Sequence, residues 1–120
     1  MAFLEGAGKV DLVGQTASIP TQTLFNVGPL GAGVYVAFIS VITTTAGSAG
    51  TVTVGITWNN SFTSAGFDTA TFNLNTIGEQ AALLGSFYST FSQPITFNTT
   101  VAGAVGNPVY SLRIRLLYLG

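Results

Sequence analysis

The chain has 120 residues, 48% hydrophobic and only 6% charged, with a formal net charge of -1 and neither histidine nor cysteine. That composition excludes disulfides, thiolate chemistry and nitrogen or sulfur ligation of a metal by side chains, and three Lys or Arg cannot neutralise a nucleic-acid backbone. A well-solvated surface normally carries about 25–35% charged residues, so here Thr, Ser, Asn and Gly must cover the molecule, or assembly must bury part of it.

Residues 1–16 are Gly-rich and hold three of the seven charges. They predict an N-terminal leader with one short strand, Val10 to Val13. Phe3, Leu4, Leu12 and Val13 are apolar enough for this leader to act as an arm docked on another protein. Glu5, Gly6 and Gly8 break the apolar start, so it does not read as a signal peptide. No run approaches the roughly 18–20 apolar residues of a membrane helix, and no membrane partner is expected.

Residues 17–120 predict one β-domain. A strand lies within residues 17–27, and Pro20 makes it an edge or bulged strand, since proline cannot donate to a ladder. Gly28 to Gly33 is a turn. Two strands follow, Val34 to Thr43 and Thr51 to Trp58, joined by the small-residue loop Thr44–Gly50. The second alternates cleanly, with Val52, Val54, Ile56 and Trp58 on one face and Thr51, Thr53, Gly55 and Thr57 on the other. The first is largely apolar on both faces, so both need cover. We place Val34, Val36 and Phe38 in the core. Tyr35, Ala37, Ile39 and Val41 then become candidates for contact with a sister subunit.

Further on, Ala70, Phe72 and Leu74 predict a one-sided strand. Ala81 to Phe91 could begin as a helical turn, but Gly85 and the aromatics favour β. Ile95 to Val101 alternates. In the last strand, Val109 to Leu119, Tyr110, Leu112, Ile114, Leu116 and Tyr118 line one face, with Arg113 and Arg115 opposite. About eight short strands without an amphipathic helix predict an all-β, jelly-roll-like sandwich of antiparallel strands.

A catalytic set is hard to assemble. The carboxylates are Glu5, Asp11, Asp68 and Glu79, and nothing in their spacing makes Asp68 and Glu79 the close pair that glycoside hydrolysis needs. No cluster suits calcium and no glycine loop suits phosphate. No cofactor, no metal and no enzymatic activity are expected. Arg113 and Arg115 read as a solvated face, as inter-subunit partners of a carboxylate such as Asp68 or Glu79, or as captors of an anionic ligand. Trp58 keeps phase with the core, whereas Phe62, in a polar turn, could equally belong to the core or stack on a glycan.

Several stretches together resemble small structural proteins of tailed bacteriophages. They are Thr21–Phe25, Gly33–Val36, Thr44–Val54, Ile56–Trp58, Pro94–Thr100 and Tyr110–Leu116. Gly33-Val34-Tyr35 and the closing Tyr110–Leu116 run are also loosely similar to trimeric jelly rolls of the tumour-necrosis-factor type. The resemblance implies a homotrimeric capsid decoration, or cement, protein of the virion, made in the host cytoplasm, whose partner is the major capsid protein. It supplies no catalytic residue. The alternative it leaves open is a tail-fibre or head-fibre module that binds host glycans.

Overall fold

The structure, a computed structural model, describes residues 5–27, 32–69, 71–83, 85–90 and 93–120. They form ten strands and no helix: β1 (Glu5–Gln15), β2 (Gln22–Phe25), β3 (Gly33–Thr45), β4 (Ala49–Asn59), β5 (Ser64–Asp68), β6 (Phe72–Asn73), β7 (Gly78–Leu83), β8 (Phe87–Ser89), β9 (Ile95–Val105) and β10 (Val109–Tyr118). All pairings are antiparallel.

Two five-stranded sheets face each other. The first runs β1-β10-β3-β7, with β8 beside β7 on the same edge of β3; the second runs β2-β9-β4-β5, with β6 beside β5 on β4. The far edge of each sheet is thus one strand in two pieces, which is why ten strands appear where about eight are predicted. β2 is an edge strand with a register shift between Thr23 and Phe25, as Pro20 requires of its neighbourhood. Residues 5–15 are no loose leader: β1 pairs along β10 from Glu5 to Gln15.

β3 and β4 lie in different sheets. Their connection is held by Gly47 N donating to Leu74 O at 3.0 Å and Ser48 N to Val105 O at 2.8 Å. A β-carbon at Gly47 would strike the Val105 carbonyl and come within 2.9 Å of Pro108 Cδ, so only glycine passes there.

The core forms where the inner faces meet. Successive side chains alternate across a strand, and directly opposite residues share a face. On β10 the Arg residues fix the solvent side, so Tyr110, Leu112, Ile114 and Leu116 turn inward. Register then pairs Leu112 with Val41, Ile114 with Ile39, Leu116 with Ala37 and Tyr118 with Tyr35. These β3 residues are therefore core, each at most 2% exposed. This corrects the predicted orientation: Tyr35, Ala37, Ile39 and Val41 are covered by the chain's own second sheet and cannot meet a sister subunit. Val52, Val54, Ile56 and Trp58 of β4 are buried against them as predicted.

Aromatic rings fill one end of this core. Tyr35 lies 5.1 Å from Tyr118 and 6.1 Å from both Phe25 and Phe87, centroid to centroid; Phe87 stacks on Trp58 at 4.2 Å, and Trp58 meets Phe67 at 4.8 Å. Toward the other end, the crossing from β1 to β2 is tied down by buried polar groups. Tyr110 Oη donates to Ala17 O at 2.8 Å and also bonds Thr99 Oγ1, which accepts from Ile19 N at 2.8 Å.

Candidate interaction surface

With the Tyr35 face in the core, the opposite face of β3 becomes the outer surface of the first sheet. Register lays its side chains out in rows. One row reads Lys9, Arg115, Phe38, Leu83. The next reads Asp11, Arg113, Ser40, Ala81. A third holds Ser111, Ile42 and Glu79. Beyond Phe38, Leu117 stands opposite Val36. Phe38, Leu83 and Val13 are 43%, 61% and 80% exposed. Large apolar groups thus remain open on a surface that also holds all three cations of the chain.

A shallow recess of about 280 Å³ opens in this face, lined chiefly by Phe38, Ser40, Glu79, Leu83, Arg113 and Arg115. The Ser40 hydroxyl is shut off from solvent there and, among the described residues, has no hydrogen-bond partner. Both arginines turn to one carboxylate. Arg113 Nε stands 3.2 Å and Arg115 Nη2 3.1 Å from Asp11, and Arg115 Nη1 also reaches Val10 O at 3.4 Å. Asp11 takes the place predicted for Asp68 or Glu79. β1 brings it directly opposite Arg113, a pairing invisible while residues 1–16 read as a leader.

Removal from water raises the Asp11 pKa, but hydrogen bonds from Arg115 and Arg113 and their charges outweigh it, leaving the carboxyl below its usual 3.8. Folded Asp11 therefore supports stability above about pH 4 and ceases to as pH falls through its lowered pKa. The pair is exposed, so this acid limb should be shallow. The alkaline side differs. Burial, with a smaller contribution from Tyr118, pushes the Tyr35 phenol up to about 12, and burial also raises Tyr110 despite its bond to Thr99. Stability tied to these phenols is complete below about pH 10 and is lost as pH rises toward 12. Far-ultraviolet circular dichroism from pH 3 to 12 should show a nearly flat acid side and a steep alkaline loss. Tyr35→Phe should shift that loss upward; an acid limb as steep as the alkaline one would contradict this account.

The outer face of the second sheet is its opposite in chemistry. It presents Thr51, Thr53 and Thr57 from β4 beside Thr96, Asn98 and Thr100 from β9, and the Thr57 and Thr96 hydroxyls bond each other. Asn98 and Asp68 both stand opposite Gly55, where a β-carbon would collide with their side-chain oxygens. Asp68 and Glu79 thus lie on outer faces of different sheets. A sandwich whose sheets pack about 10 Å apart separates them too far for a shared glycosidic bond.

Of the other residues singled out in the sequence, Phe3 and Leu4 lie outside the described residues. Leu12 packs against the core, whereas Val13 points outward. Sequence reasoning missed the outer set Val36, Phe38, Ile42 and Leu83. One signal was available: Ser40 interrupts the Val34–Ile42 face, while the Tyr35–Val41 face is unbroken.

No known family profile and no curated protein matches the sequence. Among solved structures, one chain of the "Acidic stable capsid structure of Helicobacter pylori bacteriophage KHP30" superposes with a TM-score of 0.50 and 14% identity. The likeness is one of fold. It spans 99% of this chain and 94% of that one.

Proposed function

We propose that this chain is a non-enzymatic structural protein of a bacteriophage virion, a homotrimeric jelly-roll cement protein that binds and stabilises the assembled head. The observation that carries the reading is the outer face of the first sheet, where exposed Phe38, Leu83 and Val13 stand among five of the chain's seven charges. Such a face suits burial between subunits. Four strands about 4.8 Å apart, run over ten residues at about 3.3 Å each, span roughly 600 Å². That approaches the ~800 Å² per partner of a standard interface. The whole-chain likeness to a capsid chain supports the virion setting.

The mechanism is thermodynamic. A protein that binds only the assembled shell stabilises that shell by mass action. Light scattering in solution should give three times the chain mass. Added to heads stripped of it, the protein should co-sediment and raise the temperature at which they rupture. A monomer that leaves heads unaffected would sink the proposal. A fibre module for host glycans is the competing reading, favoured by the hydroxyl and amide groups of the second sheet's outer face. It predicts binding to host cells in place of heads.

A further inference from the structure

The turn between β4 and β5 holds Phe62 at its tip, 94% exposed. This turn is not slack. Asn59 Oδ1 accepts from Ser61 N, and Asn60 Oδ1 from both Phe62 N and Thr63 N, each at 3.0 Å; Asn60 N donates to Thr63 O at 3.2 Å. Ser61 sits at φ 80°, in the left-handed region disfavoured for any residue but glycine. Thr90 ties the base of the turn to the end of β8, its N donating to Asn59 O at 2.8 Å and its hydroxyl to the same oxygen at 3.2 Å. A fixed turn therefore holds an aromatic ring out in water, where the chain's own packing does not use it. Strain of this kind, and a backbone fixed before contact, are what a binding anchor needs.

Topology says what lies beside it. Glu5 opens β1 opposite Tyr118, Tyr118 stands opposite Tyr35, and Tyr35 opposite Phe87, which stacks on Trp58 at the foot of the turn. Neither Asn59–Ser64 nor Gly85–Thr90 carries a charge. An anionic lipid surface would call for cations there; this turn carries none, and Glu5, which opens β1 at the same end, is an anion, so a protruding ring fits an apolar pocket in a protein.

We infer that this end of the sandwich docks on the head, with Phe62 as the anchor seated in an apolar pocket of the assembled coat-protein surface. The inference rests on the cement reading above. The opposite end offers Ile77 and Val105, 68% and 56% exposed, as the rival docking site.

The test titrates stripped heads, built from the coat protein encoded with this chain, with the full chain, Phe62→Ser and Ile77→Ser. Phe62→Ser should keep the parent's melting temperature and mass yet bind at least about 30-fold more weakly, the loss typical of a central anchor. Ile77→Ser should bind like the parent. If the parent binds and Phe62→Ser binds equally well, the anchor is refuted and the cement reading stands. If the parent itself does not bind, both fall. A Phe62→Ser protein of altered mass would make Phe62 a subunit contact. One that keeps head binding but loses attachment to host cells would make it a glycan contact. Either result overturns the inference.

Discussion

Tyr35→Ala should strongly destabilise the fold rather than split an oligomer. Tyr35 is fully buried, and its ring joins Phe25, Phe87 and Tyr118. Phe87 then hands the contact on to Trp58 in the facing sheet. Removing the ring opens a void where both sheets meet, and aromatic-to-alanine changes in cores cost about 3–5 kcal/mol. Single domains have about 5–15 kcal/mol in total. The loss is thus about a fifth or more of what holds the fold. Thermal melts followed by circular dichroism should show a midpoint lowered by well over ten degrees, since about 1 kcal/mol moves a domain of this size by roughly 4–8 °C. An unchanged midpoint with a changed molecular mass would put Tyr35 back at a subunit contact.

The same residue shows where sequence reading stops. The face of β4 was legible because Thr alternates with Val, Ile and Trp, and only one face can be buried. The face of β10 was legible because Arg113 and Arg115 mark solvent. β3 has apolar residues on both sides, so its periodicity identifies a strand but leaves its orientation open. Pairing with β10 decides the matter, by setting Ile39 beside Ile114 and Ala37 beside Leu116. Register is a long-range property, here between residues some eighty positions apart, and no local pattern states it. β1 was hidden for a related reason. Gly6, Gly8 and Gly14 weaken its strand signal, yet β10 offers it a ready-made edge, and β1 supplies the carboxylate that both arginines use. Phe62 stood in the sequence as an aromatic in a polar turn. Its exposure was not readable, because that depends on the Asn59 and Asn60 side chains bending the turn away from the core.

With Tyr35 in the core, assembly still has a basis in the residues of the opposite face of β3. Seven charges cannot solvate this surface, and the structure shows how they are spent. Five cluster on the first sheet's outer face, and Asp68 stands among the threonines of the second. Thr and Asn side chains suffice for a face that meets water. Phe38, Leu83, Val13 and Val36 do not suit water, and their concentration on one face sets that face apart.

Phe38→Asp should therefore convert the proposed trimer into folded monomers. Phe38 points away from the core and is 43% exposed in the single chain, so the fold does not depend on it. In the chain by itself an aspartate there would stand opposite Arg115, a favourable neighbour. Between subunits its carboxylate would lose water while Arg115 stays engaged with Asp11, and a buried charge without a partner of its own costs on the order of 3–5 kcal/mol. The three-fold repetition of the defect multiplies that cost, enough to dissociate a trimer at micromolar concentration. Leu83→Asp, one strand over in the same row, should act alike, whereas Thr100→Asp on the outer face of the second sheet should leave the mass unchanged. Light scattering reads the masses, and circular dichroism confirms that all three variants fold. If Phe38→Asp and Leu83→Asp remain trimeric while Thr100→Asp does not, the subunits meet through the threonine face instead.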